Sequence, residues 1–388
     1  MIAQILDDIE HVDRAEWDAL GRGSFYASHA WMRYQQMDPH SRAYYVFIRD
    51  DDRRPVAATA VYLVERESNA GYDPTALLPG LGEGCRRPGG RLTVLVGNRR
   101  GYSNRLLIAA GADRPSAVRS LADAVEQVVA ECSADRAWWL YVDRADAESL
   151  VGAANAADPA LLTAGCAITL AGDRFADYLA SVPPSVRKRV RRDRRTFAAA
   201  RYDVASPSFA DCWPSLSPLV TSHENHHGHV IDADTVAGLL RVQAETVGQA
   251  SHVHMCSRDG RAVACAVGYS TREEVAARFY GFDHTQPAVA QEYFELAYYR
   301  LIETAYHIGA SRLHLGIGTL RTKIRRGAVV TPLWAVATGI RALTDERDLI
   351  RAHNERRWAG LLEAIEPYRG ALADGTSVQP CGAAARDG

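Results

Sequence analysis

The sequence predicts an α/β protein with mixed, mainly antiparallel sheets flanked by helices and arranged as two domains. The chain has 388 residues, long for one domain and comfortable for two cores. The order hairpin, further strand, helix, strand occurs twice, roughly 170–200 residues apart, which reads as an internal duplication of structure without residue identity. In the first copy the strand segments alternate apolar and polar residues about a charged turn.

In chain order, Ala43–Arg49 and Val56–Glu65 flank Asp50-Asp51-Asp52-Arg53-Arg54 as a hairpin. Leu78–Gly90 is too rich in Gly and Pro for regular structure. Arg91–Gly97 and Arg105–Ala109 read as strands, with the Gly-bounded basic loop Gly97–Asn104 between them. Pro115–Cys132 has helical periodicity and Pro at its start. Ala137–Val142 is a buried strand, so Trp138 and Trp139 are expected in the core. In the second copy, His252–Arg258 and Ala262–Ser270 flank Asp259-Gly260, a strong hairpin signal. Glu274–Asp283 adds a strand, Val289–Ile308 a helix and Arg312–Leu315 a strand. The boundary near Gly165–Asp177 gives domains 1–165 and 166–370. Residues 371–388, poor in large apolar side chains, are expected to be a frayed tail.

Hydrophobic content of 47% and charged content of 24% are those of a soluble globular chain. With 45 Lys plus Arg against 47 Asp plus Glu the net charge is −2, so a nucleic-acid partner would have to be held by a local patch. Cysteines 85, 132, 166, 212, 256, 265 and 381 are scattered with no Cys-x-x-Cys, which favours reduced thiols over disulfides or a zinc site. The start, Met1–Asp8, lacks the basic and apolar regions of a signal peptide. No run of eighteen apolar residues could span a membrane, and a cytoplasmic location is expected.

Charge is nonetheless concentrated. Residues 187–195 hold seven bases and one acid, a local charge of +6. Arg321, Lys323, Arg325 and Arg326 form a second basic turn after the last strand. Either could be a solvated surface, and either could contact phosphates. The histidine-rich run His223–His229 contains His223 and His227 at i, i+4, yet Gly228 and the residue order argue against a metal site.

Several of these segments resemble one family. Phe175–Ser181 followed by Arg187–Arg195, then Tyr280-Gly281, Glu292–Tyr299, and Gly316-x-Gly318 leading to Lys323–Gly327 resemble the Fem-type, peptidoglycan-recognition branch of the GNAT acyltransferases. Ser24–Met32 resembles the segment by which these proteins enter their first half. The family turn usually carries a His before the Lys, where this chain has Thr322. The resemblance implies tandem GNAT-like domains and transfer of an acyl or aminoacyl group to an amine, with aminoacyl-tRNA as the Fem-type donor. The acceptor would be a cell-wall precursor or a natural-product amine, and no cofactor is implied.

An acetyl-CoA enzyme of this fold needs a Gly-rich turn that aims backbone N–H groups at a pyrophosphate. The corresponding loop here, Asp283–Gln291, has no glycine and contains Pro287. Donor phosphates are therefore assigned to Arg187, Lys188, Arg191, Arg194, Arg321, Lys323, Arg325 and Arg326. Glu295 with Tyr299 is the candidate base or ammonium anchor, with His223 and Glu224 touching the acceptor and Tyr280 and Tyr298 lining its cleft. An acyl-CoA-dependent transferase and a non-catalytic ligand-binding protein are the alternatives.

Overall fold

A computed structural model describes residues 1–81, 92–132, 134, 136–154, 156–287, 290–339 and 346–373. The fold is the mixed α/β class expected, and the chain divides into two compact units. The first comprises 1–22, 26–165 and the chain from Val330 onward; the second comprises 23–25 and 166–329.

The first unit opens with β1 (Ile2–Leu6), α1 (Arg14–Gly21) and α2 (His29–Gln36). The hairpin β2 (Ser41–Arg49) and β3 (Pro55–Val64) follows, as the alternation predicts. Next come α3 (Pro74–Leu77), β4 (Thr93–Val96), β5 (Leu107–Ile108) and α4 (Arg114–Glu131). Helix α4 starts where the Asp113 carboxylate accepts from Ser116 N, with Pro115 in its first turn. Then β6 (Ala137–Val142), α5 (Arg144–Ala153) and β7 (Ala160–Thr169) lead out of the unit. Residues 82–90 of the expected Gly/Pro loop lie outside the described residues.

The second unit contains α6 (Phe175–Ser181), α7 (Pro184–Ala199), β8 (Asp203–Ala205), α8 (Phe209–His226) and α9 (Ala233–Val247). Strands β9 (Ser251–Arg258), β10 (Arg261–Ser270) and β11 (Glu274–Phe282) form a meander. Asp259 and Gly260 turn the β9–β10 hairpin with φ of 52° and 74°, the left-handed values a tight turn requires. The next helix is composite: α10 (Glu292–Phe294), a π-helical segment (Glu295–Arg300) and α11 (Leu301–Ile308). It leads to β12 (Arg312–Ile317), parallel to β11, and the short α12 (Leu320–Ile324). The strand order is β12-β11-β10-β9-β8. The helix expected from Val289 starts at Glu292, and residue 289 lies outside the described residues.

Strand β13 (Val329–Thr338) then carries the chain back to the first unit, followed by α13 (Arg347–Ile365). There β13 pairs antiparallel with β6, completing the order β1-β2-β3-β4-β6-β13. Trp139, fully buried as expected for a core strand, donates its indole N–H to Thr338 Oγ1 at 3.2 Å. Asn354 of α13 accepts from Leu161 N at 2.7 Å and donates to Pro159 O at 2.8 Å. The second unit thus ends at Val329, not near residue 370, because long-range pairing and these side-chain bonds tie the last strand and helix to the first. Residues 374–388 of the expected tail lie outside the described residues, whereas Leu372 still bridges to Val330.

Candidate functional site

Helix α7 starts at Pro184, well placed because the first helical turn has no intrahelical partner for its N–H groups. Its buried stripe is Val186, Val190, Asp193 and Phe197, at helical spacing. The basic residues fall on the other faces. Arg187, Lys188, Arg191, Arg194 and Arg195, with Pro184, line a groove of about 670 Å³ whose remaining wall is Phe175 and Leu179 of α6. Four of the residues that the sequence assigned to donor phosphates therefore converge here; Arg195 and the apolar floor were missed. Lys188, Arg191 and Arg195 are exposed and have no hydrogen-bond or ion-pair partner among the described residues. Unneutralised like charge of this density favours a polyanionic ligand. Arg194 is different. It pairs with Glu295 at 3.2 Å and Glu303 at 2.8 Å, and its guanidinium lies 4.7 Å from the Phe175 ring centroid.

Asp193, the one acid of the basic run, is buried at the centre of a polar network. Its Oδ2 accepts from Arg326 Nη2 at 2.6 Å and from the Tyr299 hydroxyl at 2.8 Å. Arg326 Nε donates to the Tyr299 oxygen at 3.1 Å, and Nη1 donates to Thr322 O at 3.1 Å. The Arg326 guanidinium also covers the Phe294 ring, 3.1 Å from its centroid, and its backbone carbonyl accepts from the Tyr178 hydroxyl at 2.9 Å. Gly327, at φ 84°, leaves room beside Val182, whose Cγ1 would lie 2.8 Å from any Cβ there. Arg326 is thus a structural cation with no face toward an external phosphate. Removing either partner of such a buried pair typically costs about 3–5 kcal/mol. The expectation that groups Arg326 with the phosphate contacts fails because charge patterning along the chain does not reveal which base meets a buried acid.

The other turn cations divide likewise. Arg321 and Arg325 are exposed, while Lys323 is 4% exposed. Lys323 Nζ donates to Ile317 O at 2.6 Å and has no acidic partner among the described residues. Burial holds its pKa down to about 8. Gly316, Gly318 and Thr319 take left-handed φ values of 66°, 74° and 43°, bending the chain from β12 into this turn.

Glu295 and Tyr299 sit in the π-helical segment, a distortion frequent at functional sites. Glu295 is 2% exposed; its Oε1 faces Arg194 and Arg300, both at 3.2 Å, and its Oε2 has no hydrogen-bond partner among the described residues. Burial raises its pKa against the pull of the Arg194 and Arg300 guanidiniums. The Tyr299 hydroxyl is fully used by Asp193 and Arg326, and burial pushes its pKa up.

The remaining predicted residues form an aromatic run. His223, in the last turn of α8, packs edge-on against Tyr280 at 4.9 Å, which meets Tyr293 at 4.8 Å, which meets Tyr298 at 5.3 Å. Helix α8 lies tight on β11, because Gly281 has no side chain: a Cβ there would meet Val220 N at 2.7 Å. His223 shares a hydrogen bond with His284 (3.2 Å), and burial lowers its pKa to about 4, so the ring is neutral. Glu224 turns away to pair with the exposed His229. Among the described residues no group of three ligands is arranged to hold a metal ion.

The start of the composite helix is filled from within. Glu292, 2% exposed, accepts Ala290 N on both carboxylate oxygens at 3.2 Å and the Tyr202 hydroxyl at 2.6 Å. A carboxylate of the first helical residue thus takes up the amide N–H just ahead of the helix.

Solved structures share this fold. FemX aligns with a TM-score of 0.62 at 8% identity, covering 90% of this chain and 100% of that one. The C-terminal domain of a lysylphosphatidylglycerol synthetase from Agrobacterium fabrum aligns at 0.51 and 11% identity, covering 87% and 93%. A Bacteroides thetaiotaomicron protein of unknown function aligns at 0.52 and 12%, covering 87% and 100%. No match was found among curated protein sequences. Residues 100–366 match the FemAB-like family, described as peptidoglycan biosynthesis/recognition, and the chain belongs to that family.

Proposed function

We propose that the protein is an acyltransferase that moves an aminoacyl group from a charged tRNA to an amine, forming an amide. Family membership supports acyl transfer in general. The observation that carries the donor assignment is the groove of five bases over an apolar floor in a chain whose net charge is −2. Arg187, Lys188, Arg191 and Arg195 would neutralise successive phosphates there, with Arg321 and Arg325 as outer contacts. Glu292 supports the same reading, since coenzyme A would have to displace a buried carboxylate from its own hydrogen bonds.

In the transfer, the amine nitrogen attacks the ester carbonyl, the C–N bond forms, and the ester C–O bond breaks to release the tRNA 3′ oxygen. Glu295, with an unused oxygen beside Arg194, is the group proposed to anchor the acceptor ammonium or take its proton. Lys323 would supply the buried positive charge near the reacting ester. Tyr280 and Tyr298 would line the acceptor side, with neutral His223 against Tyr280. The attack would be direct. Cys166 and Cys212 are held protonated, with pKa values pushed by burial up to about 11, so neither offers a thiolate.

Incubation with aminoacyl-tRNA, and separately with radiolabelled acetyl-CoA, against a panel of amine acceptors tests this. Label should move from tRNA to acceptor. Transfer from acetyl-CoA alone would replace the donor assignment, and tRNA retention without any transfer would leave a binding protein.

A further inference from the structure

Helix α7 carries one acid among seven bases between residues 187 and 195, and that acid is 1% exposed while its neighbours line the groove. Its carboxylate reaches two other elements: Tyr299 of the π-helical segment and Arg326 of the basic turn. Arg326 passes the constraint on, because its Nη1 holds the carbonyl of Thr322, the residue before Lys323. We propose that Asp193 is a positioning residue for the transfer site: through Arg326 it holds the turn that keeps Lys323 on Ile317. This rests on the reading that the groove and the Lys323 turn act together.

A buried ion pair that only stabilised the unit would also be consistent with the short distances, so position has to be read at Lys323 itself. The composition provides the means. Of 45 basic residues only Lys188 and Lys323 are lysines, one in the groove and one on the turn. Lysine, unlike arginine, can lose its proton in an accessible pH range, so the two amines report separately on the two places.

The experiment measures acylation of the intact chain by a water-soluble amine reagent as a function of pH, quantified by peptide mass spectrometry. In the wild type the Lys323 profile should have its midpoint near 8, where burial places it, with Lys188 as internal reference. Asp193→Asn keeps the shape, removes the charge and frees Arg326. The Lys323 midpoint should rise by about one unit or more toward the ordinary lysine value as the loosened turn admits water, with the Lys188 profile unchanged. If Asp193→Asn does not fold, Asp193→Leu/Arg326→Met removes both charges while filling the space, and the same rise is expected because Thr322 loses its donor. A folded variant in which Lys323 keeps the wild-type midpoint overturns the proposal. A shifted midpoint in a protein that never transfers from charged tRNA would leave the positioning intact and remove the assigned reaction.

Discussion

Replacing Arg187, Arg191 and Arg195 together by glutamine removes three of the four groove cations that are not tied to an acid, leaving Lys188. Arg194 is left in place because its loss would leave Glu295 and Glu303 to share Arg300 alone, confusing weak binding with misfolding. Single-stranded nucleic acid gives a slope of log K against log salt of about −0.7 per phosphate neutralised, so four contacts predict about −2.8 and one predicts about −0.7. Raising salt from about 50 to 200 mM should therefore weaken the wild type about 50-fold and the variant only about threefold. Fluorescence anisotropy with an end-labelled oligonucleotide copying the tRNA 3′ end, at five salt concentrations, measures both slopes. Circular dichroism checks that the variant is folded. A folded triple variant whose slope stays within about 0.5 of the wild type would refute the idea that α7 grips phosphates.

Two further outcomes follow from buried bases. Because Lys323 has a folded pKa near 8 against 10.5 when exposed, it keeps its proton at pH 7, and burying that charge costs roughly 3 kcal/mol at 1.36 kcal/mol per unit. Lys323→Met should accordingly raise the thermal midpoint at pH 7 while abolishing transfer; a lowered midpoint would contradict the burial argument. His254, bonded to Ser206 and Thr304 at 3.0 Å each, has its pKa depressed by burial to about 4. The unfolded chain then binds more protons between pH 6.5 and 4, so stability should fall by roughly 3 kcal/mol over that window. In His254→Gln, denaturant titrations should show that part of the pH dependence gone, and an unchanged slope would exclude His254 as its source.

Local patterns carried much of this architecture. The β9–β10 hairpin follows from Asp259-Gly260, and β6 from its apolar run. The Fem-type resemblance read from 175–195 and 292–327 is matched by the family assignment over 100–366. Elements set by distant partners were not legible. Strand β13 contains Pro332 and has no turn signal tying it to β6, whose residues lie some 200 positions earlier. Helix α8 runs through Pro214 and Pro218, which locally argue against a helix. At the site, the density of bases was visible but their partners were not. Asp193 looked like an interruption in a basic run, although its place in the Val186–Val190–Phe197 stripe gives it an inward phase. That stripe signalled that Asp193 is buried, though not which base would meet it.

The return of the chain at Val330 has a consequence for how the molecule is made. Strand β6 needs β13 as its neighbour, and Leu161 needs Asn354, so the part translated first lacks pieces translated last. At about 5–20 residues per second, the roughly 200 residues between β6 and β13 take about 10–40 s to emerge. During that interval the later-made segment, 166–329, acquires all its own strands while the earlier one waits with an open edge. Maturation therefore runs against the direction of synthesis, and the open side of β6 is where a nascent chain is most exposed to wrong pairing.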